Sequence, residues 1–275
     1  MKLVASAKLR KAQKAIEALR PYERTLAEIL AAVQAAAPSR AAARPDVPAA
    51  GNIGAAFSAV PAAKMAVVAV ASNSSLCGGF NANVVRKALE TIRECEGEVE
   101  VYPIGRKMAD GLRRAGYTAA GDWNDLIGHP AYDKSADLAR SLSDRFLAGE
   151  LSRVVLVYTR FKSASSQEPV AETWLPFEIP GQARDDYKVV GDDVKYILEP
   201  DAEALVAQLL PQVMLLKFHA AMLDSAAAEQ AARTIAMQTA TDNAEDLLGE
   251  LTLEYNKGRQ QKITAEILDL LGGSQ

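Results

Sequence analysis

The sequence predicts an α/β fold in which two long terminal helices pair as an antiparallel coiled coil. Between them lies a central α/β domain with a mostly parallel sheet. Three observations predict this. Both ends are nearly free of helix breakers, the middle alternates apolar runs with amphipathic ones, and glycine and proline mark the boundaries. Residues 1–60 form the N-terminal coiled-coil helix and its linker, 61–200 the central domain, and 201–275 the C-terminal helix.

The first helix covers 1–37, with no glycine and a single proline, Pro21. Leu9, Ala12, Ile16, Leu19, Glu23, Leu26, Leu30, Val33 and Ala37 follow alternating steps of three and four, the seam of a coiled coil. Only Glu23 in that seam is charged; with Pro21 beside it, a bend is expected there. Lys8, Arg10, Lys11, Lys14, Arg20 and Arg24 lie between the seam residues. They form a basic stripe, read either as a solvated face or as a track for an acidic partner.

The last helix opens at EPD (199–201), where a proline and a capping aspartate precede the apolar run. Helical composition then continues to about Leu271, before GGSQ. A helix of roughly 65 to 70 residues is about 100 Å long, far more than the rest of the chain can cover. Its middle is alanine-rich, so two helix axes can approach closely there.

The middle begins after an Ala/Pro/Gly-rich linker over 38–63. A strand over 65–72 is followed by a helix over 81–95 and a strand over 99–104. A helix over 106–115 leads to a short strand near 116–120. Then come a helix over 132–147, a strand over 153–160 and an alternating edge partner over 170–179. Strands alternating with helices predict right-handed parallel connections. Residues 180–195, with two Asp-Asp pairs, read as a polar surface excursion.

Composition limits the function. The chain has 275 residues, 49% of them hydrophobic, a net charge of −4 and a pI near 5.4. A dedicated nucleic-acid binder is normally basic, so that class is disfavoured. Cys77 and Cys95 make neither a zinc knuckle nor a disulfide framework, and a reducing, cytosol-facing setting is the simple reading. No secretory signal is present at the N-terminus, and no run reaches the length of a membrane span. A soluble or membrane-peripheral protein is expected.

The corner SNSSLCGGFN (72–81) is the candidate for chemistry. It lacks the lysine of a phosphate loop and the GxGxxG of a dinucleotide site. Its glycines are read as serving a strand-to-helix turn, with Asn81 placed to cap the helix that follows. Cys77 at a helix N-terminus has a route to nucleophilicity, but the only histidines are His129 and His219, and neither has a motif tying it to Cys77. The paired aspartates 185–186 and 192–193 lack calcium-loop spacing.

Four stretches carry a family resemblance: MKLVASAKLRKAQ at the start, LCGGFN, YILEP (196–200), and the long block from AEQAARTIAMQTATDNAEDLLGELTLEYNKGRQQKITAEILDLLGG. In this order and spacing they resemble the gamma subunit of F-type ATP synthase, over essentially the whole chain. The resemblance implies a coiled coil of the terminal helices with a Rossmann-like domain against its lower part. It implies a rotor shaft with no catalytic site or cofactor of its own, in which rotation couples proton translocation to ATP synthesis or hydrolysis. The implied partners are the alpha and beta subunits, the epsilon subunit and the c-subunit ring, at the cytoplasmic face of a bacterial inner membrane.

The resemblance also assigns residues. Arg259, Gln260 and Thr264 match positions that meet a beta-subunit loop high on the shaft. Lys8 and Arg10 match the helix crossing the neck, and Cys77 with its neighbours matches a loop facing an acidic loop of a beta subunit. Tyr196 and Glu199 match positions lying on the c ring. Two departures stand out. The family carries about two dozen further residues before MKLV, continuing the coiled coil, so the upper C-terminal helix is expected to lack that partner here. The family also reads Ser-Asp-Arg-Gly before LCGGFN, where this chain has Ser72-Asn73-Ser74-Ser75. An α/β enzyme using Cys77 with helical dimerisation arms, and an unrelated coiled-coil scaffold, are the competing readings.

Overall fold

The computed structural model describes residues 1–36, 64–95, 97–127, 130–177 and 198–272. The linker 38–63, the paired aspartates, Tyr196 and His129 lie outside the described residues. In chain order the elements are α1 (Lys2–Ala36), β1 (Lys64–Val70), α2 (Phe80–Arg93), β2 (Val99–Ile104), α3 (Arg106–Arg114), a 3₁₀ turn (Asn124–Leu126), α4 (Tyr132–Leu147), β3 (Leu151–Phe161), β4 (Gln167–Leu175) and α5 (Ala202–Gly272).

The strands form one sheet in the order β2-β1-β3-β4, with β1 parallel to both neighbours and β4 antiparallel to β3. Period-two alternation divides its two faces. Val67, Ala69, Val101, Val155 and Val157 pack under α2 and α3 through Val84, Ala88, Met108 and Leu112. Ala66, Val68, Val70, Ile104, Val154 and Leu156 face the other way, toward α4, α1 and α5. Strand order reverses after β1, so right-handed crossovers place α2 and α4 on opposite faces. The strand expected near 116–120 shrinks to a single bridge between Val101 and Ala119. Gly116, with φ +90°, turns the chain there, and too few residues follow to build a ladder.

The coil is antiparallel. Lys2 bonds Gln238, Arg20 stands 3.6 Å from Asp224, and Glu23 senses Lys217. Leu9, Ile16, Leu26, Leu30 and Val33 are buried along the expected seam, and Ala5 extends it by a turn. Burying each of the large aliphatic side chains contributes about 1.5–3 kcal/mol. Helix α1 continues through Pro21, whose ring sits on an exposed position. The carbonyl it leaves without a partner therefore faces water rather than the seam.

Helix α5 runs for 71 residues. Asp201 caps it as expected, its carboxylate accepting from the Ala204 amide at 2.8 Å. One window of α5 is apolar enough to cross a membrane, contrary to the sequence expectation, but 44% of it is buried within the protein. That apolarity serves the coil and the sheet. Trp174 locks the two together: its indole donates to the Met214 carbonyl at 3.1 Å and meets Phe218 edge-on at 5.3 Å.

Candidate functional site

The corner between β1 and α2 lies at the carboxyl end of the sheet, where the strand order reverses. Ligands of open α/β sheets bind in this crevice. Here α5 itself crosses it. Ala227, Ala228 and Ala231 pack with Cys77, Phe80, Phe161 and, from α1, Leu9. Alanines let the helix lie close, so the alanine-rich stretch is thin against the body as well as against α1.

The glycines do serve the turn. Gly78 sits at φ +58°, and Gly105, in the neighbouring β2–α3 turn, at φ +98°. A Cβ on Gly105 would stand 2.1 Å from the Ala71 carbonyl oxygen, so only glycine fits. Asn81 does not cap α2; the cap position is Gly79, with no side-chain bond. Instead its Oδ1 accepts from the Ser72 amide at 3.0 Å, and its Nδ2 donates to the Ser74 carbonyl at 3.1 Å. As the second residue of the helix, past the cap position, Asn81 is reached by the loop folding back. Asn73 reaches across instead, accepting from the Arg106 amide at 2.9 Å at the start of α3.

Cys77 is buried, 1% exposed, with Asn81 Nδ2 at 3.1 Å from its sulfur. Its neighbour Leu76 is 59% exposed and held at φ +66°, a conformation that is costly for a leucine. The outward-facing apolar group of the corner is therefore Leu76, and the thiol belongs to the core. His219 bonds Ser135 at 2.8 Å and stacks edge-on against Tyr132, within the α4–α5 contact. Burial lowers its pKa. The partners of Cys77 and of His219 do not overlap, so no Cys–His dyad forms between them.

Ser74 is the position at which the resemblance leads us to expect an arginine. Its hydroxyl accepts from Arg233 of α5 at 2.8 Å, and Arg233 also pairs with Glu229 at 2.7 Å. Both members of that ion pair lie on α5 and are well covered, so Glu229 holds the guanidinium in place while the guanidinium's bond to Ser74 ties the body to the coil. Arg233 places a cation beside the loop, from the helix rather than from the loop itself.

Leu9 packs in the same cluster as Cys77, so the exposed Lys8 and Arg10 share the level of the corner. Arg259, Gln260 and Thr264 do not join them. They sit on the uncovered end of α5, all exposed, with the Thr264 hydroxyl bonded back to the Gln260 carbonyl at 2.8 Å. Glu199 is exposed at the other end, just before Asp201. At 1.5 Å per residue, about 90 Å of helix separates it from Arg259.

Sequence reading missed a half-buried acid cluster where coil meets sheet. Asp224 on α5 is pushed up to about 6 by burial, which outweighs the nearby Arg20 and Arg160. Glu23 on α1 is raised for the same reason, with Asp224 adding to the effect and Lys217 opposing it. On the adjoining strands Arg160 pairs with Glu172, which the Tyr158 hydroxyl also reaches at 3.1 Å. The one signal was the charged seam position at Glu23.

Comparison with known proteins agrees with this architecture. The ATP synthase family model matches residues 1–275. The ATP synthase gamma chain of Bacteroides fragilis is 44% identical over 281 residues, covering 100% of this chain and 91% of that one. That of Phocaeicola vulgatus is 42% identical over 279 residues, with the same coverage. Among solved structures, a chain from the central stalk and c-ring of the Tetrahymena thermophila mitochondrial ATP synthase matches with a TM-score of 0.56 at 23% identity. The match covers 88% of this chain and 97% of that one, and it supports the fold. Matched along its whole length by the family model and by relatives at more than two-fifths identity, the chain belongs to the ATP synthase gamma chain family.

Proposed function

We propose that the chain is the central-stalk rotor of an F-type ATP synthase, peripheral to the cytoplasmic face of a bacterial inner membrane. It transmits rotation of the c ring to the catalytic beta subunits and so couples proton translocation to ATP synthesis or hydrolysis. The chain makes and breaks no bond itself. Its asymmetric surface favours different conformations of three otherwise equal catalytic subunits, a population shift by differential contact.

The observation that carries this reading is α5. One unbroken helix of 71 residues begins at the exposed Glu199 turn, is clamped by the sheet and α1, and continues into an uncovered end bearing Arg259 and Gln260. Torque needs a stiff element joining two distant contact zones, and a helix about 105 Å long supplies it. In this reading Glu199 and Tyr196 face the c ring, with the epsilon subunit against the lower body. Lys8, Arg10 and the Cys77 corner lie under the beta subunits. Arg259, Gln260 and Thr264 engage a beta-subunit loop, the planar arginine fork suiting a carboxylate there.

Affinity purification with subunit counting tests it. One copy of the chain against three alpha and three beta subunits is expected. Recovery without those subunits, or turnover by the purified chain alone that Cys77→Ala abolishes, would sink the reading.

A further inference from the structure

Leu76 is the one non-glycine residue with positive φ among the described residues. Its left-handed conformation costs stability for any residue that carries a Cβ. Glycines stand close by at 78 and 79, yet position 76 holds a leucine. The loop is fastened on both sides of it. Ser74 accepts from Arg233 through its hydroxyl and from Asn81 through its carbonyl, and the Cys77 side chain is buried. Leu76 is therefore held out into solvent by a fixed loop rather than folded in. Backbone strain of this kind persists where the surroundings over-determine it, and it collects at functional contacts.

The surroundings define the chemistry of the partner. A Cβ on Gly78 would stand 3.7 Å from that of Ala236, and Lys2 bonds Gln238, so the corner and the first turn of α1 meet α5 at one level. Val4 and Ile235 are exposed there as well. Lys2, Lys8, Arg10, Lys11 and Lys14 are all exposed, and residues 1–16 contain no acidic side chain. In a chain of net charge −4 this is a local basic collar. It complements an acidic segment that also carries an apolar group. Resting on the rotor reading, we propose that Leu76 is the apolar anchor by which the corner engages an acidic loop of the catalytic head. An apolar group of that loop covers the Leu76 side chain, and the cations of α1 face its carboxylates. The contact residue of the corner is then Leu76 and not the buried Cys77. Because the loop is fixed beforehand, little freedom is lost on docking.

Two measurements on the full chain test the proposal. Leu76→Gly and Leu76→Ala both remove the side chain, but only glycine relieves the left-handed turn. The glycine variant therefore melts about 3 °C above the alanine one. Competition for limiting alpha and beta subunits then reads the contact. Each variant is mixed in equal amount with the wild-type chain, and mass spectrometry counts the two in the assembled complex. Leu76→Gly and Leu76→Ala are each depleted about tenfold, whereas Leu76→Met enters within about twofold of wild type. Leu147→Ala, which trims an exposed leucine at the end of α4, competes evenly. Lys8→Gln combined with Arg10→Gln is depleted at low salt and less so at high salt.

A glycine variant that melts no higher than the alanine one overturns the strain. Even competition by Leu76→Ala, or equal depletion of Leu147→Ala, overturns the anchor. Even competition by the Lys8 and Arg10 double variant at low salt overturns the acidic partner. These failures leave the rotor reading standing. A wild-type chain that enters no complex with alpha and beta subunits sinks that reading, and this proposal with it.

Discussion

From Ala202 to about residue 238, α5 lies against α1 and the sheet, and Leu210, Val213, Phe218 and Ala231 are buried. From residue 239 onward nearly every position is exposed, including Leu248, Leu253, Leu268 and Leu270. The lower half buries large side chains from Leu210 to Leu223 and small ones from Ser225 to Ala231 that bring backbones together, and it contributes to the fold of this chain. The upper half carries large apolar side chains that are exposed among the described residues. An exposed apolar face of this kind is what the proposed contact with other subunits would cover. The contrast lies in packing rather than in propensity, because both halves are helical to the same degree.

Substitutions separate the halves. The largest effect is expected at Phe218, fully buried beside Trp174. Phe218→Ala should lower the stability of the chain by about 3–5 kcal/mol, through lost transfer energy and the cavity left behind. Denaturant unfolding followed by tryptophan fluorescence measures it. A loss below about 1 kcal/mol would mean that α5 is not fastened to the sheet there.

Arg233→Ala comes next. It strands Glu229, which is 6% exposed, and frees Ser74. A loss of about 3 kcal/mol is expected from leaving a buried charge unpaired. Arg233→Ala combined with Glu229→Gln should recover part of it. If the double variant is no better than the single one, the stranded Glu229 charge is not the source of the loss.

Asp224 gives a smaller, pH-dependent effect. Its folded pKa, about 6, lies above the unfolded value of 3.8. Above pH 6 both states are ionised, and the folded state bears the cost of a buried charge. As pH falls through 6 the folded state binds a proton that the unfolded state takes up only near 3.8, so stability rises. The gain is about 2–3 kcal/mol, complete below the unfolded pKa. Unfolding free energies measured at several pH values should show this rise, and Asp224→Asn should flatten it. An unchanged slope in that variant would place the titration elsewhere, with Glu23 the next group to examine.

The smallest stability effect is expected in the upper half. Leu268→Ala and Arg259→Ala should each change the stability of the chain by less than about 0.5 kcal/mol. Both should nevertheless reduce recovery of the complex or its coupled ATPase activity. Full recovery and activity with both variants would remove the functional side of the contrast.

The legible parts of the fold were those set by local periodicity. The seam from Leu9 to Val33, β2, α4 and the capping Asp201 all follow from patterns within a few residues. The corner was legible only in part. Its glycines announced a turn, but the partners of Asn81 come from a loop that folds back on it. The exposure of Leu76 and the burial of Cys77 are set by one left-handed residue with no sequence signal of its own. Of the positions matched by resemblance, Lys8 and Arg10 come to the level of the corner, whereas Arg259, Gln260, Thr264 and Glu199 stand far from it along one rod.

By itself, then, the sequence determined two long helices, an alternating α/β middle and a rod too long for its own body. These follow from spacing, length and the absence of breakers, which are properties of the chain read in order. The tertiary structure decided that α5 fills the switch-point crevice, that Arg233 answers Ser74, that Asp224 is mostly covered and that Thr159 is shut away from water. Desolvation and close approach depend on which distant segments pack together, and no window of neighbouring residues contains that information.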